Sequence, residues 1–337
     1  MKKVSIIIPV FNAEKYIARC LDSLINQSYS SIEIIIIDDA SSDHSMEIAK
    51  NYFKKDKRIK IIRNVANSGP MISRQKGYMK AEGEFVTFVD SDDYLPHTAI
   101  EDLITKALAE NADLVGGVID MIFPNGSSQT FKTNKLSYGS SSLGIYHSLL
   151  KDEFSHNLCG KLFARNLFDH NYETILGMTN AEDALLFYQL VKFVRKAVCT
   201  DAIVYHYFMN NASTTHMPMT KEKLEQIVIA NKYISEITLK YKSLEKITIL
   251  ATAKSLLLLK NYDVDSFIVD KILTKYDMSK YVDDLLSLFK MDDRDAWLIT
   301  SFYGNEPMAV ELAKRAKEKG QKEIYRESSS RKRSIKN

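Results

Sequence analysis

Cysteine, glycine, proline and tryptophan are all scarce in this chain of 337 residues, which carries 3, 12, 6 and 1 of them respectively. Three cysteines, Cys20, Cys159 and Cys199, are too few and too scattered for a disulfide framework or a paired-cysteine zinc site. They read as small buried hydrophobes in a reducing compartment. So little glycine and proline excludes collagenous and long disordered stretches. No apolar run approaches the length of about 18 residues that a membrane span needs, and the longest candidate, Leu256–Leu259, is a fragment of a helix. Met1-Lys2-Lys3 is followed too soon by Pro9 for the apolar core of a signal peptide. These absences lead to the expectation of a soluble cytoplasmic protein.

Charge of one sign is lacking too. The formal net charge is +3, but Arg331, Lys332, Arg333 and Lys336 sit in the last ten residues with no acid among them. Removing those four from +3 leaves the rest of the chain at −1. A near-neutral body excludes an extended nucleic-acid-binding face. The tail, taken as a basic disordered segment over 326–337, is a solvated terminus on the plain reading. On the other it gives peripheral contact with anionic lipid at the inner face of the cell membrane.

What is present is alternation. Val4–Val10, Ile32–Ile37, Ile59–Ile62 and Phe85–Val89 are short apolar, β-branched runs. They are separated by helical patterns over 13–27, around Ile48–Phe53 and from Met71 to Ala81. That order predicts an α/β fold with a mostly parallel sheet flanked by helices. A helix near His97–Asn111 and a strand over Asp113–Ile122 follow, and Asn125-Gly126 marks a hairpin turn. From Lys221 the strand signal gives way to helical segments at Lys223–Tyr241, Leu244–Lys260, Val264–Tyr276, Lys280–Phe289 and Pro307–Lys319. The expected domains are therefore 1–220, divided into halves at about 120, and an all-helical domain over 221–325. Apolar stripes in the helical domain are read as core, with homo-oligomer formation as the second option.

The strand ends carry the chemistry. Ligands of open α/β sheets bind outside the carboxyl ends of the strands. Here those ends hold Pro9-Val10-Phe11-Asn12, Asp38-Asp39 and Asp90-Ser91-Asp92-Asp93. Neither a GxGxxG fingerprint nor a GxxxxGK[ST] loop is present, which argues against dinucleotide-binding dehydrogenases and P-loop kinases. Five carboxylates at the ends of two strands, expected to be neighbours, need a cation among them. Asp-x-Asp on an extended segment suits Mg²⁺ or Mn²⁺ bound partly through substrate phosphates. The plain alternative is a polar turn capping the helix near His97.

These segments, with Leu24–Ser28, Ile37–Asp43, Asn67-Ser68-Gly69, Arg74, Ala81–Glu84, Phe88–Asp93, Lys161-Leu162-Phe163 and Glu182–Leu185, resemble the family 2 glycosyltransferases of GT-A fold over about residues 3–215. The resemblance implies that Pro9, Val10 and Phe11 line a nucleotide base slot and that Asp39 accepts a hydrogen bond from uracil. Asn67, Gly69 and Ser91 fall in matched nucleotide-binding motifs. It also implies that Arg74 lies near the base or diphosphate, that Asp90 holds the ribose, that Asp92 ligates the metal and that Asp183 is the general base. At Pro70–Gln75 the chain departs from the family's more usual Gly-x-x-x-Ala-Arg-Asn, with Ser-Gly-Pro-Met-Ile-Ser-Arg-Gln in its place. Arg74 as an exposed helix arginine, and Glu182-Asp183 as a charge pair complementing a helix N-terminus, are the plain alternatives.

His216, in Ser213-Thr214-Thr215-His216, is the candidate for an additional metal or phosphate contact, against a plain loop histidine. Tyr205, His206 and Tyr207 are expected to pack beneath the acceptor site. The activity implied is inverting, metal-dependent transfer of a hexose or N-acetylhexosamine from a UDP-sugar to a lipid- or protein-linked glycan acceptor. The competing reading is a catalytically silent homologue that binds glycan or stabilises a partner. A nucleotidyltransferase is disfavoured by the missing glycine-rich phosphate loop.

Overall fold

The structure, a computed structural model, describes residues 1–131, 135–210, 220–260 and 284. The chain forms two compact units, Met1–Ala230 and Asn231–Asn337. In the first, β1 (Val4–Val10) and β2 (Ile32–Asp38) are buried along almost their entire length. A strand covered on both faces has no solvent side to alternate toward, which is why these segments read as continuous apolar runs. β3 (Ile59–Arg63) pairs with β2 and β4 (Phe85–Phe88) with β1, all in parallel. The connecting helices are α1 (Ile17–Ile25), α2 (Ser45–Lys55) and α3 (Pro70–Lys80). On α1 the buried positions are Ile17, Cys20, Leu21 and Leu24, the stripe that helical spacing predicts.

Beyond β4 the sheet becomes mixed. α4 (Ala99–Glu110) leads into β5 (Leu114–Ile122), which turns back through Asn125-Gly126 into β6 (Ser128–Phe131). Gly126, at φ +82°, supplies the left-handed conformation that this tight turn needs. After α5 (Ser142–Leu150), β7 (Lys161–Ala164) inserts antiparallel between β4 and β5. α6 (Glu182–Val191) follows, and β8 (Ala197–Phe208) lies parallel to β5. Among the described residues the sheet has eight strands.

The strand order β3-β2-β1-β4 corrects one expectation. β1 lies between β2 and β4, so Asp38-Asp39 and Asp90–Asp93 end strands that are not neighbours. Two strand spacings, about 9–10 Å, separate them. The two acidic strand ends thus lie on either side of β1 and do not form one cluster.

α7 (Lys221–Thr238), which begins in the first unit, and α8 (Glu245–Lys260) carry the helical pattern seen in the sequence. Within the second unit the Ser235 and Thr252 hydroxyls hydrogen-bond at 3.1 Å, and Leu244, Ile247, Leu250 and Ala253 are buried. The further helical segments expected beyond 260 (Asp284 apart) and the basic tail lie outside the described residues. Among the described residues no helix is long and apolar enough to cross a membrane.

Candidate active site

The loops that follow β1 and β2 are stapled to each other. The Asn12 amide donates to Ser41 Oγ at 3.1 Å, the Ala13 amide to Ser45 Oγ at 2.7 Å, and the Glu14 amide to Asp43 Oδ2 at 2.9 Å. In return Asn12 Oδ1 accepts from the Ser42 amide at 2.9 Å. Asn12 and Ala40 both adopt left-handed backbone, at φ 50° and 62°. An alanine pays for that conformation in strain of about 1 kcal/mol, and such residues gather where a loop must be shaped for a ligand. Phe11 stands 49% exposed at the strand end, whereas the Val10 side chain is buried in the sheet. Of the three expected base-slot residues, Val10 therefore contributes backbone, and its carbonyl accepts the Asp39 amide at 2.7 Å.

Asp39 is buried and organises the next wall. Its Oδ1 accepts from Asn64 Nδ2 at 2.7 Å and from the Ser68 amide at 2.9 Å, and its Oδ2 accepts from the Gly69 amide at 2.8 Å. A carboxylate has about four acceptor positions, so one remains on Oδ2. Asn67 Oδ1 also reaches the Gly69 amide, at 3.1 Å. Gly69 has φ +87°, and a Cβ there would stand 3.3 Å from the Met178 carbonyl oxygen. Both the conformation and the close approach favour glycine.

The Asp90–Asp93 loop rests on β8. Tyr205, buried on that strand, accepts from the Asp90 amide at 3.1 Å and donates to Asp93 Oδ2 at 2.7 Å. Asp93 Oδ1 accepts from the Phe208 amide at 2.7 Å. Tyr205 thus packs beneath the acidic loop. Asp93 is the floor of the site, pushed well above the usual carboxylate range by burial and then by the Asp92 and Asp90 charges. Arg19, its guanidinium 3.9 Å from the centre of the Phe208 ring, donates to the Asp92 carbonyl at 2.7 Å. Asp92 Oδ2 accepts from Asn210 Nδ2 at 2.8 Å, and burial followed by the Asp90 charge raises its carboxyl. Sequence reasoning found Asp90, Ser91 and Asp92 but not Asn210 or Arg19, which carry no local motif.

Arg74 is the hub. It is only 4% exposed, and it meets Asp90 Oδ1 at 2.8 Å, Glu182 Oε1 at 3.2 Å and Asp183 Oδ1 at 2.8 Å. Burial opposes the charge, but Asp183, Asp90 and Glu182 outweigh it and hold the guanidinium ionised. The exposed-arginine reading is overturned. The partners the guanidinium meets are all carboxylates. Only arginine has the planar fork to serve three of them at once.

Glu182 and Asp183 open α6, behind Ala181 at φ 59°. Glu182 is pushed up to about 7 by burial and then by the Asp183 charge, with Arg74 opposing. Asp183 Oδ2 accepts from the Leu158 amide at 3.2 Å. The loop before α6 is held by Gln226, whose Oε1 accepts from the Thr179 and Asn180 amides at 2.9 Å each. Nothing local in the sequence marks Gln226, since its role depends on where α7 begins.

His216 lies outside the described residues. Among the described residues no three of His, Cys, Asp and Glu stand close enough to hold a metal ion by themselves. Asp92 alone, half-buried beside two further carboxylates, matches the way Mg²⁺ and Mn²⁺ bind through one or two carboxylates plus substrate phosphates. The donor set fits such an ion.

An open α/β sheet with acidic residues beyond the ends of β2 and β4 defines the class: a domain of GT-A fold. Residues 5–171 match the model for "Glycosyl transferase family 2", which makes that segment a domain of this family. An uncharacterised glycosyltransferase of Haemophilus influenzae is 42% identical over 117 residues, covering 35% of this chain and 47% of that protein. The chain spans 22% to 64% of the length of three such curated relatives. Among solved structures, residues 1–349 of Staphylococcus aureus TarS in complex with UDP-GlcNAc superpose with a TM-score of 0.61 at 20% identity, over 96% of this chain and 93% of that one. A mannosyltransferase of Pyrobaculum calidifontis, in complex with GDP-Man and Mn²⁺, gives a TM-score of 0.50 at 13% identity, over 94% and 79%. The likeness to these structures shows the fold.

Proposed function

We propose that this protein is an inverting, metal-dependent glycosyltransferase. It would move a hexose or N-acetylhexosamine from a UDP-sugar to a hydroxyl of a growing glycan, either a surface polysaccharide or a protein-linked one. One observation carries the reading: buried Arg74 joins Asp90, on the donor side of the cleft, to Glu182-Asp183 on the acceptor side. On this reading the nucleotide-binding residues of the first half and the carboxylate pair of the second form one site.

On this reading Phe11 flanks the base, and the free acceptor position on Asp39 Oδ2 takes the uracil N–H. Asp90 holds the ribose hydroxyls, leaving its other carboxylate oxygen on Arg74. Asp92 would hold Mn²⁺ or Mg²⁺, which supplies charge neutralisation of the departing diphosphate. Asp183 accepts the proton of the acceptor hydroxyl as that oxygen attacks the anomeric carbon. The anomeric C–O bond to the diphosphate breaks, and its electron pair leaves with the phosphate oxygen. A single displacement from the face opposite the leaving group inverts the anomeric centre. A base of this kind contributes about 10²–10⁴-fold.

The test is UDP release from a panel of UDP-sugars with Mn²⁺, with and without EDTA, by wild type and Asp183→Asn. Chelator-sensitive release, with acceptor transfer lost in Asp183→Asn, supports the reading. A protein that binds UDP yet turns over no donor or acceptor is instead a binding homologue.

A further inference from the structure

Lys161 begins β7 and is fully buried. Its ammonium donates to the Asn157 carbonyl at 2.6 Å and lies 5.1 Å and 5.3 Å from the ring centres of Phe154 and Phe187. Burying an ammonium among aromatic faces is expensive, and a sheet strand could start on any apolar residue. What the charge secures is the turn it caps. Asn157 opens that turn, and each of the next three residues is engaged. The Leu158 amide donates to Asp183 Oδ2 at 3.2 Å. Cys159 Sγ meets Asp90 Oδ2 at 3.4 Å. Gly160, at φ +69°, accepts the Gly117 amide at 3.0 Å through its carbonyl.

Phe187 stands four residues after Asp183 on α6, on the same helix face. The ammonium is thus held between the helix that carries Asp183 and the turn that hydrogen-bonds to it. Arg74 fixes Asp183 Oδ1, and the turn fixes Oδ2. Two contacts on one carboxylate, from separate elements, determine its orientation.

We propose that Lys161 is a positioning residue for Asp183, acting by holding the Asn157–Gly160 turn so that the Leu158 amide orients the carboxylate. The proposal rests on Asp183 being the base. The ammonium neither touches substrate nor exchanges a proton with it. Its effect therefore falls on turnover and not on donor binding.

The test uses the full chain with Lys161→Met, which keeps length and removes the charge and the donor. Hydrogen exchange of the Leu158 amide should quicken about tenfold or more as the turn loosens. UDP affinity by calorimetry should stay within about threefold of wild type, while kcat for transfer falls about 10–100-fold, the scale of a slightly misplaced catalytic group. Lys161→Gln, which retains an N–H donor, should recover part of the loss. In an Asp183→Asn background Lys161→Met should cost nothing further, since the group it positions is gone. A merely structural lysine would lower the melting temperature and add its loss in both backgrounds, and that result overturns the proposal. Unchanged Leu158 exchange overturns it as well. Should Lys161→Met fail to fold, the same measurements on Lys161→Gln decide. If Asp183→Asn alone leaves transfer intact, the base assignment fails, while Leu158 exchange still decides what Lys161 holds.

Discussion

The Arg74 guanidinium and the Asp183 carboxylate form an ion pair at 2.8 Å in the interior of the cleft, with Arg74 only 4% exposed. The residue expected near the nucleotide thus braces the residue expected to activate the acceptor. One cation therefore ties the end of β4 to the start of α6.

Removing that cation should damage stability and activity together. Arg74→Met leaves three carboxylates at Asp90, Glu182 and Asp183 without their partner. Breaking a buried pair from one side costs about 3–5 kcal/mol. Urea unfolding should show that loss, and Arg74→Lys should recover only part of it, because a point charge cannot span three partners. A stability change below about 0.5 kcal/mol would show that the cluster is not a structural unit.

Asp39→Ala should act twice. It strips an acceptor from Asn64 Nδ2 and from the Ser68 and Gly69 amides, of which Asn64 keeps Ser73 Oγ and Gly69 keeps Asn67 Oδ1, so the cost is about 1 kcal/mol. It also loosens the wall that presents Asn67 and Gly69, so UDP affinity should fall. Calorimetry on the folded variant is the check, and unchanged affinity would take Asp39 out of the site. Wild type should prefer UDP to GDP in the same titration.

Asp92→Ala should separate chemistry from folding. Its Oδ2 gives up one hydrogen bond, to Asn210, and relieves repulsion with Asp90 and Asp93. The melting temperature should hold or rise slightly while Mn²⁺-dependent UDP binding and transfer disappear. Wild-type turnover in this variant would refute the metal assignment.

Stability should also depend on pH through Glu182. In the folded protein its carboxyl is pushed up to about 7. In an unfolded chain a glutamate titrates near about 4.3. Between those values the folded state keeps a proton that the unfolded state has released. The stabilisation is therefore full below about 4.3 and is lost as pH rises through about 7. Unfolding free energies at pH 5 and pH 8 should differ in that direction, and Glu182→Gln should flatten the difference. An unaltered slope in Glu182→Gln would place the titration elsewhere.

The apolar runs Val4–Val10 and Ile32–Ile37, the helical stripe of α1 and the Asn125-Gly126 turn were legible because each depends on residues adjacent in the chain. Their periodicity is a property of local geometry and of which faces must be covered. The acidic strand ends were legible for the same reason, as carboxylates crowded within four residues. The order of the strands was not, because pairing is decided by contacts between segments distant in sequence. Only the sheet shows that β1 separates Asp39 from Asp90, and only the fold brings Arg74 to Asp183, 109 positions away. Lys161, Tyr205 and Gln226 follow the same rule. Lys161 lay in a matched segment and Tyr205 was expected beneath the acceptor site, but what each does was not legible, since a buried ammonium, phenol or amide takes its meaning from the partner that satisfies it. The sequence determined which chemistry lay at the strand ends, and tertiary packing decided which charges met.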